Sequence, residues 1–202
     1  MRKLFVTSMV TLDGVMQAPG GPDEDTDSGF AHGGWAFHYF DDDLNEVMAQ
    51  TMGRPFDLLL GRRTYDIFAG YWPTAPQEAG GAPLNAATKY VASRGTPELT
   101  WERSVLLTGP AEESVAALKA GDGPQLQVHG SVDLLQTLLR HNLVDELQVL
   151  TFPVLVGSGK RLFQDGPRPA AALQLVESRT AGSGVTVSRY QPAGALRTGS
   201  FG

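Results

Sequence analysis

Leu143-Val144-Asp145-Glu146-Leu147-Gln148-Val149-Leu150-Thr151-Phe152 runs directly into Pro153-Val154-Leu155-Val156-Gly157-Ser158-Gly159-Lys160-Arg161-Leu162-Phe163. The apolar run from Leu147 to Phe152 needs burial on at least one face and predicts a strand over 144–152; left open at a sheet edge it would invite association. Two further strands, at 172–179 and 184–191, follow with no long helix between them, so the sheet is expected to turn antiparallel at its C-terminal side. Upstream, short β-branched and aromatic runs predict strands at 2–10, 57–60, 88–93, 104–108 and 125–129. They alternate with helical patterns at 41–53, 62–70, 111–120 and 131–141, the signal of an α/β layer structure. The helix at 111–120 is marked at both ends: Pro110, Glu112 and Glu113 open it, and Lys119 and Gly121 close it.

Composition narrows the function. A chain of 202 residues and 21.6 kDa suits one domain, expected over 1–191, with a flexible tail at 192–202. There is no cysteine, hence no disulfide framework and no thiolate zinc site of the kind a nucleoside-type deaminase needs; a cytoplasmic location is the expectation. A net charge of −6 and a pI near 5.1 argue against nucleic acid as a partner. Met1-Arg2-Lys3-Leu4-Phe5-Val6 mimics a signal peptide, but Thr7, Ser8 and Asp13 interrupt it. No stretch approaches a membrane-spanning length, so no membrane partner is expected.

Two places join a strand end to a helix start: Leu60-Gly61-Arg62-Arg63-Thr64 and Val128-His129-Gly130-Ser131. Helix N-termini carry unpaired N–H groups and partial positive charge, and glycine lets the backbone come close, so each can hold a phosphate. Two such junctions suit a ligand with separated phosphates, such as NADPH; alternatively Gly61 only makes a turn and Ser131 only caps its helix. Arg62 and Arg63 add positive charge, unless they are spent on surface ion pairs with Asp66 or other acids. No G-x-G-x-x-G follows the first strand, which disfavours a Rossmann site. His32, His38, His129 and His141 lack ligand spacing, so no metal is expected, and no G-x-S-x-G nucleophile elbow is present. The glycine-rich stretch 14–34 carries no period of two or 3.6 and reads as a loop: a lid, an interface arm or disorder.

The 143–163 stretch, with Thr11-Leu12-Asp13-Gly14, Leu60-Gly61-Arg62-Arg63-Thr64-Tyr65, Lys89-Tyr90-Val91-Ala92-Ser93-Arg94 and Val128-His129-Gly130-Ser131, resembles the C-terminal reductase domain of the bifunctional riboflavin-biosynthesis deaminase/reductases. That resemblance implies a three-layer dihydrofolate-reductase-like fold: a mixed, mostly parallel central sheet with antiparallel C-terminal strands, flanked by helices. It implies a homodimer and NADPH as cofactor, with Arg62, Thr64, Ser93 and Arg94 at its phosphates and adenine-ribose end; Gly61, Arg63, Gly130 and Ser131 of the two junctions complete the expected cofactor site. Asp13 falls at the mouth of the substrate pocket, where it would orient the substrate. The sequence departs from the family's V-E-G-G at Val128-His129-Gly130-Ser131, which puts the riboflavin-pathway substrate in doubt. A histidine at its ordinary pKa is about 25% protonated at pH 7, so His129 is the candidate acid for the proton that accompanies hydride transfer; alternatively it is a histidine hydrogen-bonded at a strand end with no proton to deliver. The expected activity is NADPH-dependent reduction of a small heterocyclic or carbonyl substrate. The alternatives are the riboflavin-pathway reductase of 5-amino-6-(5-phosphoribosylamino)uracil and a non-catalytic nucleotide-binding dimer.

Overall fold

A computed structural model describes residues 1–76, 79–166 and 170–201. Eight strands form one sheet: β1 (Leu4–Thr11), β2 (Phe56–Gly61), β3 (Lys89–Ala92), β4 (Ser104–Leu106), β5 (Gln125–His129), β6 (Glu146–Phe152), β7 (Ala171–Thr180) and β8 (Thr186–Ala195), in the order β4-β3-β2-β5-β1-β6-β8-β7. The six strands from β4 to β6 run parallel, and β8 runs antiparallel to both β6 and β7. The helices are α1 (Asp42–Met52), α2 (Arg62–Tyr71), α3 (Ala82–Ala86), α4 (Ala111–Ala120) and α5 (Val132–Arg140).

Alternation along the strands divides the core into two layers. Leu4, Val6, Leu59, Leu126 and Val128 pack against Val115 of α4 and Leu134, Leu135 and Leu138 of α5. On the opposite face Leu150 and Phe152 meet Leu44 and Val47 of α1, while Leu58 and Leu60 meet Tyr65 of α2 and Leu84 of α3. The parallel strands are consequently buried on both faces and largely apolar, as buried parallel sheets require. Arg2 is buried and paired with Asp57, bonding also to the Pro124 carbonyl at 2.7 Å, so the basic start of the chain is part of the sheet's lower edge.

Two expectations change. β8 continues to Ala195, because Ala171 of β7 pairs with it there, four residues past the expected strand end. The 14–34 loop is packed: Val15, Ala18 and Phe30 are buried together, and Trp35 Nε1 donates to the Gln17 carbonyl at 2.8 Å. Among the described residues no helix is long and apolar enough to cross a membrane.

Candidate cofactor and substrate site

Because six neighbouring strands are parallel, their carboxyl ends share one edge of the sheet. There the ends of β3, β2 and β5 bring Ser93 and Arg94, Gly61 and Arg62, and Gly130 and Ser131 into one row, while Asp13 stands beyond the longer β1. Two interstrand steps of about 4.8 Å make that row roughly 10 Å long. The helix after β2 covers one face and the helix after β5 the other, although β2 and β5 are adjacent. This is a topological switch point, the crevice where open α/β sheets bind ligands.

The two junctions are locked together across that crevice. The Gly61 amide donates to Ser131 Oγ at 2.9 Å, the Ser131 amide donates to Thr64 Oγ1 at 3.0 Å, and Ser131 Oγ donates to the His129 carbonyl at 3.2 Å. Gly130 and Ser131 are both left-handed, with φ of +59° and +57°. A non-glycine residue in this region is strained by about 1–2 kcal/mol, and such strain persists where the surroundings hold it. Here the three hydrogen bonds hold it. Ser131 therefore does not cap α5 through its side chain, as a sequence reading allowed. The amides of Gly61 and Ser131 are spent within the protein, and the first-turn amides of α2 and α5 remain as the anion-facing groups.

The arginines divide. Arg62 Nε is held by Asp66 at 2.6 Å, one turn along α2, the ion pair the sequence left open. Arg63 is paired with Asp27 through both carboxylate oxygens and lies 3.5 Å from Asp25. Lys160 completes the network, with Nζ 2.6 Å from Asp25 and 2.8 Å from Asp27. The 14–34 loop thus straps the start of α2 to the segment after β6, with its carboxylates on Arg63. On the neighbouring strand Ser93 accepts from the Gly95 amide at 3.2 Å, and Arg94 is exposed with no ion-pair partner among the described residues. Arg94 is the uncommitted cation of the predicted set.

The Asp13 carboxylate is engaged within the protein. Its carboxylate accepts from Thr11 Oγ1 at 2.6 Å and from the Gly157 amide at 2.8 Å, and Arg161 bonds its main-chain carbonyl. These contacts, the Thr11 hydroxyl foremost, hold its carboxyl below the usual carboxylate range. It pins the turn after β1 to the loop after β6. Nor does it converge with His129: the strand partner of His129 is Thr7, and four more residues of β1, about 13 Å, precede the turn that carries Asp13.

His129 is 9% exposed, and burial pushes its pKa down to about 4. Desolvation penalises the charged form, which favours a neutral imidazole at pH 7 and a hydrogen-bonded strand-end histidine over a ready proton donor. Its Nε2 lies 3.1 Å from Gln127 Oε1, and Gln127 Nε2 donates to the Thr51 carbonyl of α1 at 2.7 Å. Thr7 stands in register with both His129 and Gln148, and Gln148 Nε2 donates to the hydroxyls of Thr7 and Thr51, each at 3.0 Å. A polar row thus crosses β5, β1 and β6 beneath α1, in a sheet otherwise apolar. The alternation Leu126-Gln127-Val128-His129 was its visible signal: two polar side chains on one face of a strand whose other face is core. Gln148, Thr51, Asp25, Asp27 and Lys160 carried no local signal.

A family model described as the RibD C-terminal domain matches residues 2–187. The chain belongs to that family. Within the sequence relatives of this RibD C-terminal domain, it is 28% identical over 197 residues, 94% of each chain, to the uncharacterized protein YyaP of Bacillus subtilis (strain 168). A putative riboflavin biosynthesis protein from Shewanella sp. PV-4 has the same fold, with a TM-score of 0.65 at 18% identity over 94% of this chain and 98% of that one. So does a pyrimidine reductase-like protein from Corynebacterium diphtheriae, with a TM-score of 0.62 at 13% identity over 98% and 93%.

Proposed function

We propose that this RibD C-terminal domain is an NADPH-dependent reductase of a small heterocyclic or carbonyl substrate. The observation that carries the reading is the hydrogen-bonded closure of Gly61, Ser131 and Thr64 at the switch point, which brings two helix N-termini to one crevice. Membership of the family and the reductase-like structural relatives support it.

The residues fit the cofactor. The first turns of α2 and α5 face its pyrophosphate, and Gly130, left-handed at φ +59°, puts backbone without a side chain at the crevice. Ser93, Arg94 and Arg62 are the group for a 2′-phosphate, with Arg94 free to engage it directly. NADPH supplies the hydride when bound. What the chain itself contributes is orientation: the nicotinamide end is directed toward β5 and β1, where His129 stands at the end of β5. Neither His129 as an imidazolium nor Asp13, with its lowered pKa, is poised to deliver the proton.

The family membership favours one narrower reading, reduction of a ribosylaminopyrimidine of the riboflavin pathway. A screen that follows NADPH absorbance with 5-amino-6-(5-phosphoribosylamino)uracil, simple pyrimidines and small carbonyl compounds separates the two. Turnover of the phosphoribosylated pyrimidine alone supports the narrower reading. Tight NADPH binding with no turnover of any member supports a non-catalytic nucleotide-binding protein instead.

A further inference from the structure

We propose that His129 is a specificity-determining hydrogen-bond acceptor: its imidazole, fixed as the Nε2–H tautomer by Gln127, presents Nδ1 to an N–H or O–H donor on the substrate ring. This rests on the reductase reading for the presence of a substrate, but the tautomer follows from the protein alone. Gln127 has one carbonyl oxygen and one amide nitrogen. The nitrogen donates to the Thr51 carbonyl at 2.7 Å, which turns the oxygen toward His129 Nε2 at 3.1 Å. Two acceptors do not share a contact of that length, so Nε2 carries the hydrogen. A neutral imidazole has only one N–H, and Nδ1 is left as a bare lone pair.

That lone pair is available. The His129 imidazole makes no other hydrogen bond among the described residues, and the 9% of the residue that stays exposed lies at the carboxyl end of β5. It lies one residue before Gly130, beside the proposed nicotinamide end of the crevice. The rest of the row cannot reverse its polarity. Gln148 donates to Thr7 and Thr51, and Thr51 Oγ1 donates to the Val47 carbonyl at 2.8 Å, so the network terminates on main-chain carbonyls of α1. A substrate donor is satisfied at Nδ1, whereas a ring carbonyl or bare ring nitrogen meets another lone pair. Sites built to pair a polar group reject the analogue that lacks it more strongly than apolar pockets discriminate size.

The test uses histidine labelled with ¹⁵N in the full chain saturated with NADPH, and two probes of one ring, 2-aminopyrimidine and pyrimidine. At pH 7 the His129 signals, assigned by their absence in His129→Phe, are expected to show a protonated Nε2 and a bare Nδ1. Addition of 2-aminopyrimidine should move the Nδ1 signal and bind about 10-fold more tightly than pyrimidine, the scale of one hydrogen bond. His129→Phe should erase that difference; should this variant fail to fold, the wild-type probe comparison decides by itself. A proton found on Nδ1, equal binding of the two probes, or an Nδ1 signal that neither probe moves overturns the assignment. Failure of the reductase reading shows separately, as absence of NADPH binding before any probe is added.

Discussion

The hydroxyl of Ser131 accepts the amide of Gly61 at 2.9 Å, joining two residues 70 positions apart at the carboxyl ends of adjacent strands. This one contact closes the crevice between α2 and α5 and holds Ser131 in its left-handed conformation. Ser131→Ala leaves the Gly61 N–H without its partner and should lower stability by about 1–3 kcal/mol. Ser131→Gly loses the same bond but relieves about 1–2 kcal/mol of backbone strain, so it should be the milder change. Urea unfolding of both variants checks the order; an alanine variant as stable as wild type would mean the contact holds nothing.

Asp27 and Asp25 neutralise Arg63 as long as the 14–34 loop stays closed. Asp27→Asn should free that guanidinium for the cofactor's phosphates and tighten NADPH binding by roughly 2- to 5-fold, the range expected of an exposed ion pair. The gain should shrink in high salt, where exposed charges are screened. Titration at two ionic strengths measures it, and an unchanged affinity would leave Arg63 as a loop anchor only.

Two buried bases give stability a defined pH dependence. With the folded pKa of His129 lowered to about 4, the unfolded chain takes up a proton near pH 6.5 and the folded chain does not. Stability should therefore fall as pH drops from about 6.5 to about 4, and His129→Gln should flatten that limb. Lys89 is fully buried, with Nζ donating to the carbonyls of Asn85 and Glu102 and lying 4.2 Å from the Trp101 ring, and burial lowers its pKa to about 8. Between about pH 8 and 10.5 the unfolded state binds more protons, so stability should rise with pH there and lose that rise in Lys89→Met. Thermal melts across pH supply both comparisons.

The fold was readable because the parallel strands carry short apolar runs and most of the longer helices are punctuated at their ends. Helix α4 begins and ends where Pro110 and Gly121 place it, and β5 spans Gln125–His129 as expected. The short α3 passed unread, since five residues around Pro83 give no helical period. At the site, the glycine junctions and Ser131 were legible from strand-to-helix spacing. The employment of Arg63 and Asp13 was not, because their partners Asp27 and Gly157 lie far along the chain and only the folded loops bring them close. The neutrality of His129 was equally hidden: a reference pKa says nothing of burial under α1.

A homodimer formed through the outer strand β7 is our expectation for the assembly. Leu173, Leu175 and Val176 stand about half exposed on this edge strand, a hazard that proteins usually cover or charge. Light scattering should give twice 21.6 kDa, and a Leu173→Lys, Leu175→Lys double variant should give the monomer. A monomeric wild type across the concentration range would refute the expectation.

The row from Arg94 to Ser131 is expected to bind NADPH, with Arg94 on the 2′-phosphate. Calorimetric titration of the wild type and of Arg94→Ala with NADPH and NADH tests it most directly. A charged hydrogen bond to the 2′-phosphate is worth about 1.5–3 kcal/mol, so the wild type should prefer NADPH by roughly 10- to 150-fold, and Arg94→Ala should lose most of that preference while keeping its affinity for NADH. Equal affinity of the wild type for both nucleotides, or no binding of either, would contradict the account.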